Sequence, residues 1–171
     1  VPRFFSSGDY SKIEPSLVCI SNAMNVGHPS NLARLVDLYG GHLDETGRLI
    51  SVPDMESINA DFFAVSVDDE VTRETIRRAY GKYGLLLEPH GAVGWAGLEA
   101  YFESNPGMEG VPAFSLETAH PAKFPDEVVR LTGVEPELPE ALAGLDESPE
   151  KYDSMEVDYN AFKNYLTEKY V

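Results

Sequence analysis

Basic residues are scarce in this chain: thirteen Lys and Arg stand against twenty-nine Asp and Glu, a formal net charge of −16 over 171 residues. Such a balance repels phosphate backbones and anionic lipid surfaces, so neither nucleic acid nor a membrane is an expected partner. Cysteine is almost absent. The one Cys19, inside the apolar run Leu17-Val18-Cys19-Ile20, leaves no internal disulfide to form and points to a reducing compartment. No apolar run is long enough to span a bilayer, and no basic-then-apolar leader opens the chain, so a cytoplasmic location is expected.

Signatures of several chemistries are missing as well. His28, His42, His90 and His120 show no i, i+4 spacing and have no Cys cluster beside them, so no metal site is expected. Ser21 and Ser115 lack a Gly-x-Ser-x-Gly elbow, and Cys19 reads as core. Gly91-x-x-Gly94-x-x-Gly97 lacks the close Gly-x-Gly pair and the following acidic residue of a dinucleotide fingerprint. Two readings of that stretch stay open: a helix N-terminus presenting its dipole to an anion, or tight packing of a helix on a sheet.

What is there is a core. A hydrophobic fraction of 43%, with nine Tyr and eight Phe, supports one globular domain. Short apolar runs predict strands over 16–21, 62–67, 85–87 and 111–116. Alternating with helices, they imply a layered αβα domain with a largely parallel sheet. Helices are expected from Pro29 or Ser30 to Tyr39 with Ser30 as N-cap, and from Asp68 to Tyr83 with Gly84 as the left-handed stop. The second of these should bury Val71, Thr75, Ile76, Ala79, Tyr80 and Tyr83. Residues 42–61 are weakly patterned, with a turn at Gly47 and one helical turn around Met55 to Asn59. A helix opening at Pro89 runs through Phe102. Glycine inside a helix costs roughly 1 kcal/mol relative to Ala, so Gly94 and Gly97 imply that a backbone or a ligand comes close there. A further helix runs from Pro125 to about Leu131 and stops at Gly133. Residues 134–155 are acidic and punctuated by Pro136, Pro139 and Pro149, a surface connection with a short helix at Glu140 to Leu145. Asp158 caps a last helix whose Phe162, Tyr165, Leu166 and Tyr170 face inward or toward a partner.

The heptapeptide Thr118-Ala119-His120-Pro121-Ala122-Lys123-Phe124 falls between the last predicted strand and the helix at Pro125. Loops at the carboxyl ends of strands in open α/β sheets are where ligands bind, and this one gathers a hydroxyl, an imidazole and an amine. For Lys123 three roles stay open: a Schiff base, a surface salt bridge, or a contact to a phosphate or carboxylate. An isolated threonine at Thr118 would be a strand-end hydroxyl satisfied by backbone.

That heptapeptide resembles the C-terminal signature of the threonine synthase family, fold-type II enzymes that use pyridoxal 5'-phosphate. Val1-Pro2-Arg3-Phe4 with Gly8 and Tyr10, then Ser21-Asn22-Ala23-Met24-Asn25-Val26-Gly27-His28-Pro29-Ser30-Asn31, then Glu88-Pro89-His90-Gly91-Ala92-Val93-Gly94 follow in family order. Residues 1 to about 131 match well and the tail more loosely. The resemblance implies conversion of O-phosphohomoserine and water to threonine and phosphate in amino-acid biosynthesis. It implies that Thr118 hydrogen-bonds the pyridine nitrogen of the cofactor, with His120, Lys123, His90 and Asn25 as walls of the site. Residues 1–133 would be the C-terminal portion of the cofactor-binding α/β domain, and 134–171 an acidic connection and helix packed on it.

Departures from the family pattern are Asn25 for a frequent Asp, His28 for Asn, and Glu88 and Gly91 for Asp and Thr. The family's Schiff-base lysine and Ser-Gly-Asn-type phosphate loop lie upstream of the part matched. Lys123 is not at the position of that lysine, so no catalytic residue is assigned in this chain. The opening Val1-Pro2-Arg3-Phe4-Phe5, with no initiator Met, reads as a fragment entered mid-element, to be completed by the N-terminal half of the same enzyme and inactive alone. The alternatives are a non-catalytic binding or regulatory module on the same scaffold, or another fold-type II lyase such as a serine or threonine dehydratase, against which the His-Pro-Ala-Lys-Phe stretch speaks.

Overall fold

The computed structural model describes residues 1–22, 26–108, 110–145 and 147–170, which divide into two units, Val1–Glu137 and Leu138–Val171. The first unit opens with α1 (Pro2–Ser7), a short helix the apolar pattern does not announce. Pro2 suits a first helical position, where no N–H partner is needed, and Gly8 ends the helix at φ 73°. Phe4 and Phe5 of α1 are buried against Leu32 and Val36 of α2 (Leu32–Leu38), Leu43 of β1 (His42–Leu43) and Ile58 of α3 (Met55–Asp61). β1 pairs antiparallel with β2 (Leu49–Ser51), His42 opposite Ser51 and Leu43 opposite Leu49. The turn between them is organised by Asp44, whose carboxylate accepts from Thr46 N at 3.0 Å and Arg48 N at 2.8 Å, with Gly47 at φ 83°. Asp54 caps α3 by accepting from the amides of Glu56 and Ser57, both at 3.1 Å. Ser30 does not cap α2. Asn31 holds that position without a side-chain bond, and the first turn closes through Leu32 N–H to Pro29 O at 2.9 Å.

The rest of this unit is built on α4 (Asp69–Tyr83), α5 (Pro89–Ser104) and α6 (Pro125–Thr132). Asp68 caps α4 by accepting from Val71 N at 2.8 Å, and Gly84 and Gly133 close α4 and α6 at φ 67° and 73°. The cap fixes the rotation of α4. Its buried side is Thr72, Thr75, Ile76 and Ala79, spaced three and four apart, so Val71 lies off that side and is exposed. Tyr83, in the last turn, is exposed too and tilts against Trp95 with ring centroids 5.7 Å apart. Ile76, Ala79, Leu87 and Ala92 form the second core, and Arg73 Nε to Glu127 Oε1 at 2.9 Å ties α4 to α6.

The expected parallel sheet is not among the described residues; their only sheet is the β1–β2 pair. The runs read as strands at 16–21, 62–67, 85–87 and 111–116 lie outside every helix and outside that sheet, and no backbone hydrogen bond joins one of them to another. Apolar β-rich composition fixes an extended course, whereas a ladder also needs a neighbouring strand in register. Two of the runs lie on α5. Val65 meets Gly97, and Ser115 crosses Gly94, where a Cβ would come 2.6 Å from Ser115 Oγ. The close approach expected at Gly94 is therefore made by the chain's own extended segment, whereas a Cβ at Gly97 would make only ordinary contact, 3.8 Å from Val65 Cγ1. Phe114 and Leu116, on either side of Ser115, are 90% and 81% exposed.

In the second unit, the expected helix at 140–145 is a single 3-10 turn, Glu140–Leu142, followed by Gly144 at φ 75°. Asp158 accepts from Ala161 N at 2.8 Å at the start of α7 (Tyr159–Tyr170), no residue of which is buried. Phe162, Leu166 and Tyr170 are exposed. Among the described residues no helix is long and apolar enough to cross a membrane.

Candidate functional site

The loop singled out by its residue types stands against the first turn of α5. Within it, Pro121–Lys123 form a 3-10 turn capped by His120, whose Nδ1 accepts from Ala122 N at 3.2 Å. That acceptor role makes His120 a support of the loop's own shape. Phe124 closes the loop, its ring 5.3 Å from that of His90 on α5. Thr118 and Lys123 are exposed. No hydrogen bond of the Thr118 hydroxyl and no ion pair of Lys123 occurs among the described residues, so the bland reading of Thr118 as a backbone-satisfied hydroxyl is not what the fold contains. Asn25 lies outside the described residues. His28, at the end of the same polar stretch, packs edge-on to Tyr10 and hydrogen-bonds its hydroxyl through Nδ1.

At the start of α5 the sequence places an uncommon N-cap, Glu88, just before Pro89. Its side chain is fully buried. One carboxylate oxygen accepts from Gly91 N at 2.7 Å; the other accepts from His90 N at 2.8 Å and lies 2.7 Å from His90 Nδ1. Pro89 has no N–H to satisfy and Ala92 N donates to Glu88 O at 2.9 Å, so the first turn has no free amide. The helix end that could have received an external anion already holds one.

A second carboxyl group meets the same turn. Glu117 is exposed as a residue, yet its carboxyl end lies over Gly91: a Cβ there would stand 2.9 Å from Glu117 Oε1 and 3.1 Å from its Cδ. Burial pushes the Glu117 carboxyl above the usual carboxylate range. The backbone amide of Glu88 opposes that shift, the charge of Glu88 reinforces it, and His120 opposes it again. Glu88, His90, Glu117, His120 and Phe124 thus form one cluster, with Thr118 beside it. Sequence reasoning named both histidines but gave neither glutamate a role. The available signals were an acid at an N-cap ahead of a helix-opening proline, and a glycine in a helical first turn.

Chemically the cluster offers an unengaged hydroxyl next to a rigid polar support. The described residues contain no grouping of three His, Cys, Asp or Glu that could hold a metal. A heteroaromatic ring whose nitrogen takes one hydrogen bond fits the hydroxyl. A phosphate group does not fit the turn beside it, because the amides there are bonded.

Comparison with known proteins places these elements in a wider context. Residues 91–166 match the family model described as threonine synthase, C-terminal. The chain is 30% identical over 169 residues to the threonine synthase of Haemophilus influenzae, covering 97% of this chain and 34% of that protein. With the Pseudomonas aeruginosa threonine synthase it is 37% identical over 164 residues, covering 87% of this chain and 34% of that protein. Among solved structures, Escherichia coli threonine synthase superposes with a TM-score of 0.73 at 29% identity, over 98% of this chain and 35% of that one. The PLP-bound threonine synthase from Brucella melitensis superposes with a TM-score of 0.71 at 27% identity, over 98% of this chain and 37% of that one. The chain spans about a third of the length of the relatives it matches.

Proposed function

The chain belongs to the threonine synthase family, and from that premise we propose that it is the C-terminal part of an enzyme converting O-phosphohomoserine and water to threonine and phosphate. In this reading an upstream region supplies the lysine and the phosphate loop, and this chain supplies the side of the site facing the nitrogen of the cofactor ring. Two features support that division: relatives three times as long, and extended segments whose outward side chains, Phe114 and Leu116, find no cover here. The upstream region would bring strands to pair with them and complete a layered sheet.

Pyridoxal 5'-phosphate, when bound, would supply the electron sink for removing protons and expelling phosphate. The observation that carries the role of this chain is the free hydroxyl of Thr118 on a loop held at both ends against α5. Thr118 would hydrogen-bond the ring nitrogen and fix the tilt of the ring. Being neutral, the hydroxyl would hold a ring proton less firmly than a carboxylate would. Phe124 and His90 would wall the site, and Lys123 would remain outside proton transfer.

The test is Thr118→Val in the full-length enzyme. Loss of one hydrogen bond of about 1 to 1.5 kcal/mol weakens cofactor affinity about tenfold and slows threonine formation, with the melting temperature unchanged. Unaltered affinity and turnover remove the assignment. Release of phosphate without threonine would point to a different lyase.

A further inference from the structure

We propose that Glu117 is a positioning residue for Thr118: its carboxyl end seats on the bare Cα of Gly91, beside the Glu88 carboxylate, and ties the backbone next to Thr118 to the first turn of α5. The inference rests on the reading of Thr118 given above, and adds to it what holds the hydroxyl in place.

The loop is attached at two adjacent residues of one helical turn. Phe124, at its far end, packs on the ring of His90, and Glu117, just before it, packs on Gly91. His120 braces the turn between them. Thr118 therefore sits one residue from an anchor, and loss of that anchor lengthens the free span on its side. Gly91 is what makes the seat. Any Cβ at 91 would enter the space of the Glu117 carboxyl, and since the obstructing atoms are the end of a flexible side chain, the cheaper response is for Glu117 to leave.

Two carboxyl groups sharing one glycine raise the question of charge. Glu88 is bonded as an acceptor at both oxygens, by the amides of His90 and Gly91 and by the His90 ring. Glu117 has fewer donors: burial raises its carboxyl's affinity for a proton, the Glu88 amide lowers it, the Glu88 charge raises it and His120 lowers it. Its value is raised on folding, so the stability it contributes is full below the ordinary carboxylate range and is lost as pH rises through the raised value. Ionised Glu117 is repelled by Glu88, and the tie loosens on the alkaline side.

The experiment uses the full-length enzyme, with pyridoxal 5'-phosphate as the probe. Gly91→Ala and Glu117→Ala should each weaken its equilibrium affinity about tenfold while the melting temperature holds, and the double variant should lose no more than either alone. Glu117→Gln, which keeps the shape and cannot ionise, should retain wild-type affinity with a flatter pH dependence than the wild type, whose affinity falls as pH rises. Additive losses in the double variant, or a Glu117→Gln enzyme as pH-dependent as the wild type, would overturn the tie. A second readout needs no cofactor: amide exchange across residues 118–123 should quicken about threefold or more in Gly91→Ala. Unchanged exchange overturns the tie whatever the affinity does. A wild-type enzyme that binds no cofactor would instead refute the functional reading, leaving the exchange measurement to decide the tie.

Discussion

The two parts of the first unit satisfy their apolar residues in different ways. In residues 1–61 one core closes: α1, α2, the β1–β2 pair and α3 turn Phe4, Val36, Leu43 and Ile58 onto one another and leave each almost fully buried, while Leu17 and Val18 of the extended run 16–21 stay exposed. Residues 62–133 do so only on one side. Their helices bury Ile76, Ala79, Ala92 and Val128, while Phe114 and Leu116, next to the candidate site, point into solvent. A small antiparallel pair with a tight turn finds its partners within a few residues. Extended runs separated by helices have no such local partner, and here Phe114 and Leu116 of one run stay open. The self-contained part is scaffold; the open part carries the loop with the free hydroxyl.

Three substitutions break or sharpen that contrast. Ile58→Ala removes a fully buried side chain from the closed part and should cost about 2–5 kcal/mol in chemical denaturation; a cost below about 1 kcal/mol would mean that this core is not closed. Asp68→Ala deletes the carboxylate that accepts from Val71 N and should cost about 1 kcal/mol, read as an earlier thermal loss of helical dichroism. A cost near zero would show α4 held by packing alone, as firmly as the closed part. Phe114→Thr should change the stability of this chain by less than about 0.5 kcal/mol, because the ring it removes is already in water. On the proposed reading, the same change should impair co-purification with the upstream region. A large stability loss in the chain itself would erase the difference between the two parts.

Helices were legible in the residues because their ends are marked. Asp68 and Gly84 bracket α4, Pro125 and Gly133 bracket α6, and Asp158 opens α7, each through a local bond or a left-handed glycine that sequence spacing encodes. Sheet pairing was not legible. The runs at 62–67 and 111–116 say that a segment is extended and apolar, but what a strand pairs with lies outside its own pattern. α1, β1 and β2 were missed for a simpler reason: six, two and three residues are too few to show a period. At the candidate site, Thr118, His120 and Lys123 stood out as chemistry-bearing types clustered in one loop. Glu88 and Glu117 did not, because a lone acid has no pattern until the fold sets two of them on one glycine.

The cap of α5 also bears on what this chain can grip. Glu88 is covalently tethered within reach of the His90 and Gly91 amides, so it acts as a resident competitor for them. A tether of that length corresponds to an effective concentration on the order of millimolar or more, against which any external anion has to compete. On the proposed reading, the anionic end of the cofactor would therefore be claimed by another part of the protein, and this part would face the end that carries the ring nitrogen.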